Sequence, residues 1–373
     1  MIKILFLINT LGGGGAERVL VNLVNNMDTS VFDITVETMF GEGVNAALLH
    51  KNIRRIAKND PCPPGIAYLF RFMSERALYK HFIGNEHYDI LVAYMHGAPV
   101  KVIAGSPDAN VKKISWLHNG DPATGTFFRF WNKESEAFKA YARCDAVVGV
   151  SESVSAAFSK YTGNKKNMRV VYNTNDVCKI TQAAKMPADI PFDKNSINLV
   201  SVGRLGKEKG YERLLTVCKK LRMEGLPLTV NIIGSGSEES TLRQLIAEQE
   251  ATDWFHLIGF RDNPYAYVAK ADLFVCSSRT EGLSTAVTEA VILGVPVVST
   301  DVSGAKEILG ENNEYGIVTE NSEEGIYSGI KQMLLNKNNL TYYAQKAKER
   351  ASFFATEKTV KEAEDLFKAV LNS

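Results

Sequence analysis

The sequence predicts an α/β protein made of two doubly wound parallel-sheet domains in tandem. Short, branched apolar runs alternate with stretches of helical periodicity through both halves of the chain. The alternation is interrupted once, by a proline-containing stretch with no periodicity. The 373 residues amount to about two and a half domains of ~150 residues, enough for two cores.

Ile2 to Ile8 is an apolar run interrupted only by Lys3, as expected of a strand largely covered on both faces. Gly12 to Gly15 follow, and Ala16 to Val24 carry apolar residues at helical spacing, completing a strand, glycine loop and helix. Further strands are expected at Asp33 to Met39, Ile90 to Ala93, Lys113 to Leu117 and Ala146 to Val150. Between Lys179 and Ser196 the pattern breaks, and Pro187 and Pro191 mark an interdomain linker. The second series has strands at Ile197 to Val202, Leu228 to Ile233, Trp254 to Ile258, Leu273 to Cys276 and Pro296 to Ser299. Its helices run Tyr211 to Glu224, Glu239 to Glu250 and Thr285 to Leu293. Leu340 to Leu371 reads as wholly helical. The resulting domains are 1–182 and 195–350, with 351–373 a C-terminal helix free to pack back on the first domain.

Lys and Arg number 43 against 42 Asp and Glu, so no global field recruits nucleic acid and any basic site is local. Five cysteines stand singly, without metal-ligand spacing, which suits a reducing cytosol better than a disulfide framework. The opening apolar run is too short for a membrane span or a signal segment. A cytoplasmic protein is expected, with peripheral contact at the inner face of the plasma membrane left open.

Three loops at strand ends hold the residue types that chemistry needs. Gly12 to Gly15 let a backbone approach a ligand at a helix start. Glu17 and Arg18 stand where a dinucleotide fingerprint would need glycine, and no Gly-Lys-Ser/Thr occurs, so a dehydrogenase and a Walker-type site are disfavoured. Gly203-Arg204-Leu205-Gly206-Lys207-Glu208-Lys209-Gly210 follows a strand and offers a planar fork and a point charge, a pairing suited to a diphosphate. Glu281 to Glu289 places one glutamate on the next such loop and another on the helix after it, with Ser284 as N-cap. Singly, each is also what a tight turn, a solvated loop or a surface helix would carry.

Together, Gly14 to Arg18, the 203–210 segment, the Gly234-Ser235-Gly236 turn, Gly259-Phe260-Arg261 and the Glu281/Glu289 pair resemble the retaining glycosyltransferases of family 4 over essentially the whole chain. The Gly-Gly-Ala-Glu-Arg start is similar to enzymes that extend bacterial lipid-linked or surface glycans. The resemblance implies a GT-B fold of two facing Rossmann-like domains. It also implies transfer of a hexose or N-acetylhexosamine from a nucleotide sugar, a UDP sugar before a GDP sugar, to a glycan or lipid-linked oligosaccharide acceptor.

Carried over by position, Arg204 and Lys209 neutralise the donor's diphosphate and Glu289 accepts from its ribose. Glu281 orients the transferred sugar, the amides of Gly282, Leu283 and Ser284 cradle the distal phosphate, and the backbone of Phe260 and Arg261 meets the base. Gly234 lines the donor site. Gly14 and Gly15 approach the phosphates from the first domain, and His118, in Ser115-Trp116-Leu117-His118-Asn119, lies near the reacting sugar. No cofactor and no metal are expected, in keeping with the lack of any Asp-x-Asp. A GT-B sugar-nucleotide epimerase and a non-catalytic nucleotide-sugar-binding module stay open as alternatives. Residues 65–83 are aromatic and interspersed with Arg71, Arg76 and Lys80. They read either as a basic amphipathic helix for an anionic membrane or lipid diphosphate, or as a core helix with solvated charges.

Overall fold

The computed structural model describes residues 1–63, 65–119, 127–189 and 192–373, the side chain of Lys337 excepted. The chain forms two compact units, Met1–Thr174 with Thr356–Ser373, and Asn175–Ala355. Both are parallel sheets flanked by helices, the doubly wound arrangement read from the alternation of apolar runs.

The first unit contains β1 (Ile2–Ile8), β2 (Phe32–Thr38), β3 (Arg54–Ala57), β4 (Ile90–Ala93), β5 (Lys112–Leu117), β6 (Ala146–Gly149) and β7 (Met168–Val170). Their order is β3-β2-β1-β4-β5-β6-β7, every pairing parallel. Strand order reverses between β1 and β4, so the loops leaving their carboxyl ends diverge and open a crevice. Helix Thr356–Leu371 belongs to this unit. Its Phe367 is fully buried, with ring centroids 5.8 Å from Phe6, 6.1 Å from Phe32 and 6.2 Å from Trp116.

The second unit contains β8 (Ile197–Val202), β9 (Leu228–Ile233), β10 (Phe255–Gly259), β11 (Leu273–Cys276), β12 (Val297–Thr300) and β13 (Ile317–Thr319), in the order β10-β9-β8-β11-β12-β13 and again all parallel. Here the reversal falls between β8 and β11.

Several expectations need correction. Arg54 to Ala57, absent from the expected strands, is an edge strand whose two arginines are exposed, charge being a common way to blunt a sheet edge. Three-residue β7 and β13 escaped notice because so short a run carries no period. The helix expected through Leu340 to Leu371 is broken: Lys337–Ala351, a 3-10 turn at Ser352–Phe354, extended Ala355, then Thr356–Leu371. The break comes where buried Phe354 ends one unit's packing and Thr356 begins the other's. The supposed linker starts with helix Val177–Ala183, N-capped by Asp176, which packs on helices Tyr265–Val268 and Thr285–Ile292 of the second unit. Ile190 and Pro191 of that stretch lie outside the described residues.

Residues 65–83 are two helices, Ile66–Leu69 and Glu75–Phe82. The buried ammonium of Lys101 separates them by donating to the carbonyls of Phe70 (3.0 Å), Arg71 (3.0 Å) and Phe130 (2.8 Å), which spends all three of its donors. Ser74 then caps the new helix through Ala77 N–H. Glu75–Phe82 buries Leu78, Tyr79 and Phe82, the core-helix reading, whereas Tyr68, Leu69 and Phe72 stay exposed.

Glu37 on β2 is buried, and its Oε1 finds no hydrogen-bond partner among the described residues. Burial, opposed by the charge of Lys58, pushes its carboxyl up to about 8 from 4.5. A folded-state value above the unfolded one gives stability that is complete below about 4.5 and is lost as the pH rises through 8. Glu37→Gln is expected to be the more stable form near pH 8 and to remove a slope of up to ~1.4 kcal/mol per pH unit. Denaturant unfolding from pH 5 to 8 measures this, and parallel slopes for the two proteins would refute it.

Candidate functional site

In the second unit the site grows from the β8/β11 reversal. The loop after β8 runs through a 3-10 turn at Lys207–Lys209 to Gly210, whose φ of 62° is left-handed. A Cβ there would stand 2.4 Å from the Ser277 carbonyl oxygen, so this glycine lets the loops after β8 and β11 touch. Ser277 Oγ donates to the Lys209 carbonyl (2.9 Å), and buried Arg213 donates to the Ser277 carbonyl (2.6 Å).

This clamp brings Lys209 Nζ to 2.6 Å from Glu281 Oε1, the two side chains being only 20% and 14% exposed. Burial works against the Lys209 ammonium, but the charge and hydrogen bond of Glu281, together with Cys276 and Tyr211, outweigh it and hold the amine well above its ordinary range. Ser278 Oγ donates to the same oxygen at 2.6 Å. Lys209, Tyr211, Cys276, Ser278, Glu281 and Ser284 line a small cavity. Helix Thr285–Ile292 begins at its rim, with Ser284 Oγ accepting from Val287 N–H at 3.4 Å and the positive end of the helix dipole at the same edge. Gly304, on the loop after β12, sits so close that a Cβ would lie 2.6 Å from Leu283 and 3.0 Å from the Gly282 carbonyl oxygen.

The other predicted residues are spread around this cluster. Glu289, one helix turn on, accepts from Tyr265 Oη (3.1 Å). Gly234 has φ 147°, and a Cβ on it would be 2.0 Å from the Gly203 carbonyl oxygen, so backbone packing by itself demands glycine there. Arg204 is not drawn into the cavity: its guanidinium is 78% exposed and pairs with Glu208 at 3.0 Å. Arg261 bonds Tyr267 Oη (3.0 Å) and pairs with Asp189 (3.3 Å), beside exposed Phe260.

In the first unit Gly14 and Gly15 open helix Gly15–Asn26 at the end of β1, and His118 follows β5. Leu11 exchanges backbone bonds with Glu42 and Asn45, so the glycine loop is zipped to the loop after β2. The carboxamide of Asn45 donates to the Gly12 carbonyl and accepts from Arg18. His118 Nε2 and His96 Nδ1 are buried and without hydrogen-bond partners among the described residues. Desolvation, then the neighbouring His96, pushes His118 down to about 3; desolvation, then Arg129, pushes His96 to about 4. Both imidazoles are therefore neutral at physiological pH. Among the described residues no cluster of three His, Cys, Asp or Glu is placed to hold a metal.

Residues 13–177 match the family described as Glycosyltransferase Family 4, and residues 182–350 match Glycosyl transferases group 1. The chain belongs to glycosyltransferase family 4. This family-4 chain is 26% identical, over 97% of its length and 98% of the relative's, to the N-acetylgalactosamine-N,N'-diacetylbacillosaminyl-diphospho-undecaprenol 4-alpha-N-acetylgalactosaminyltransferase of Campylobacter jejuni. It is also 26% identical, over 90% of each chain, to the lipopolysaccharide core biosynthesis glycosyltransferase LpsE of Rhizobium meliloti. Among solved structures, Anabaena Alr3699/HepE in complex with UDP and glucose superposes with a TM-score of 0.76 at 19% identity, over 99% of this chain and 100% of that one. Sucrose-phosphate synthase from Thermosynechococcus elongatus gives 0.79 at 15% identity, over the whole of both chains. The fold is GT-B, with two Rossmann-like units, and the enzyme is a nucleotide-sugar-dependent glycosyltransferase.

Reading the sequence missed Ser278, Tyr265, Thr300 and Asn45. Each is an ordinary hydroxyl or amide residue with no spacing of its own; Ser278 shares the loop of Glu281, whereas Tyr265, Thr300 and Asn45 reach their partners only through the strand order.

Proposed function

We propose that the enzyme is a retaining transferase that moves a hexose or N-acetylhexosamine from a UDP sugar to a glycan or lipid-linked oligosaccharide acceptor in polysaccharide biosynthesis. The observation that carries this reading is the Lys209–Glu281 pair at the β8/β11 reversal, beside a helix start. The pair sets a cation for a departing diphosphate next to a carboxylate acceptor for sugar hydroxyls. The names borne by the Campylobacter and Rhizobium relatives support the acceptor class.

Cleavage of the anomeric C–O bond builds positive charge on the sugar and negative charge on the diphosphate. Lys209, shared between Glu281 and the phosphate, and the helix start stabilise that anion, an effect of several kcal/mol in a site closed to water. Arg204 joins them by leaving Glu208, an exposed pair worth only about 0–1 kcal/mol. Glu281 holds the sugar hydroxyls, Glu289 the ribose, and the 259–261 backbone the base, while Gly14, Gly15 and His118 serve from the first unit. The leaving phosphate takes the acceptor's proton as the new bond forms on the same face. Screening UDP and GDP sugars by thermal shift, then assaying transfer from the best stabiliser, tests the reading. No stabilisation by any of them would overturn it.

Membrane contact falls to the first short helix of 65–83. Tyr68, Leu69 and Phe72 are 66%, 59% and 63% exposed, flanked by exposed Arg71, Arg76 and Lys80. Among the described residues no helix is long and apolar enough to cross a membrane. The triple variant Tyr68→Ser/Leu69→Ser/Phe72→Ser is expected to bind phosphatidylglycerol vesicles at least ~10-fold more weakly, each buried apolar side chain contributing roughly 1.5–3 kcal/mol. Equal flotation of the two proteins would remove the proposal.

A further inference from the structure

We propose that Ser278, backed by Thr300, is a positioning residue that fixes which oxygen of Glu281 faces the transferred sugar. The inference rests on the role given to Glu281 above. Both donors to this carboxylate, Lys209 Nζ and Ser278 Oγ, converge on Oε1 at 2.6 Å. Among the described residues Oε2 accepts no hydrogen bond, so it is the oxygen left for a ligand in the cavity that Glu281 lines.

The direction of the Ser278 proton is settled by its neighbours. Cys276 Sγ donates to Ser278 Oγ at 3.5 Å, which leaves the hydroxyl's single proton for Glu281. Buried Thr300, at the end of β12, donates its own hydroxyl to the Ser278 carbonyl at 2.6 Å. A chain of hydrogen bonds thus runs from the sheet edge to the carboxylate.

Ser278 matters most once the donor is bound. A diphosphate that engages Lys209 competes with Glu281 for the same ammonium, and the carboxylate then depends on Ser278 to stay aimed. Loss of that bond lets the carboxylate turn and the sugar hydroxyls with it. The cost falls on the chemical step, since free UDP never touches Glu281 Oε2.

The test compares the full-length enzyme with Ser278→Ala, Thr300→Val, Thr300→Ser and Glu281→Gln. It reads kcat and KM with the UDP sugar that the wild type turns over, the Kd of free UDP by calorimetry, and Tm. Ser278→Ala is expected to lower kcat by about 10–100-fold, the loss of one charge-assisted bond felt in the transition state. Its KM, UDP affinity and Tm are expected to stay close to wild type. Thr300→Val is expected to lower kcat in the same direction, and Thr300→Ser, which keeps the hydroxyl, is not. Wild-type kcat in Ser278→Ala, or a rise in KM alone, overturns the proposal. A parallel fall in Tm and kcat for both Thr300 variants overturns the backing role. Full turnover by Glu281→Gln overturns the underlying reading instead, whereas an inactive Glu281→Gln beside a fully active Ser278→Ala overturns this inference alone.

Discussion

Glu281→Gln is expected to lower kcat by about 1000-fold or more while free UDP binds at least as tightly as to the wild type. The two effects diverge because one carboxylate does two things. With no donor bound, Glu281 neutralises Lys209 at 2.6 Å and occupies a hydrogen-bond direction that a phosphate oxygen needs. Removing its charge frees the ammonium and removes a negative neighbour from the diphosphate's seat, so UDP binding tightens by up to about tenfold. Transfer needs the charged acceptor for the sugar hydroxyls, and a carboxamide supplies neither the charge nor two acceptor oxygens. Calorimetry with UDP and steady-state transfer read the two effects separately. Surviving turnover would remove the catalytic role of Glu281, and a large loss of UDP affinity would mean that Glu281 positions Lys209 for the diphosphate instead of competing with it.

What could be read from the sequence, and what could not, divides along physical lines. β1 was legible because Ile4 to Ile8, buried throughout, form an unbroken apolar run. β3 was not, because an edge strand is tolerated, even favoured, with two arginines on it. The break at Ser352–Phe354 was hidden because helical periodicity continues on both sides of it, and a change of packing partner leaves no local signal. Lys209 and Glu281, 72 residues apart, could be placed at one crevice in advance, since both follow strands whose carboxyl ends form the ligand edge of a doubly wound sheet; their ion pair could not. Arg204 shows the limit of that logic. Loop position predicts which residues surround a crevice, not where a long side chain rests, and the guanidinium turns to Glu208. Tyr265 and Thr300 needed the strand order itself, because β10 and β12 carry them to Glu289 and Ser278 from distant parts of the sequence.

Lys209→Ala carries the second large effect. It is expected to raise the Kd of free UDP by about 10–100-fold, the value of one charge-assisted contact of roughly 1.5–3 kcal/mol. Arg204→Ala is expected to do less, because its guanidinium must first leave Glu208 and solvent to reach the phosphate. Lys209→Ala also strands the Glu281 carboxylate in a place where its side chain is only 14% exposed. Breaking such a pair from one side costs roughly 1–3 kcal/mol, the fully buried figure discounted for part exposure, so Tm falls by several degrees. Adding Glu281→Gln removes the stranded charge and is expected to restore Tm but not UDP affinity, since no cation returns to the phosphate. Stability and binding therefore separate in the double variant. If Tm and UDP affinity recover together, Lys209 acts by holding the loops after β8 and β11 in place; if affinity alone stays lost, its ammonium is the group that meets the diphosphate.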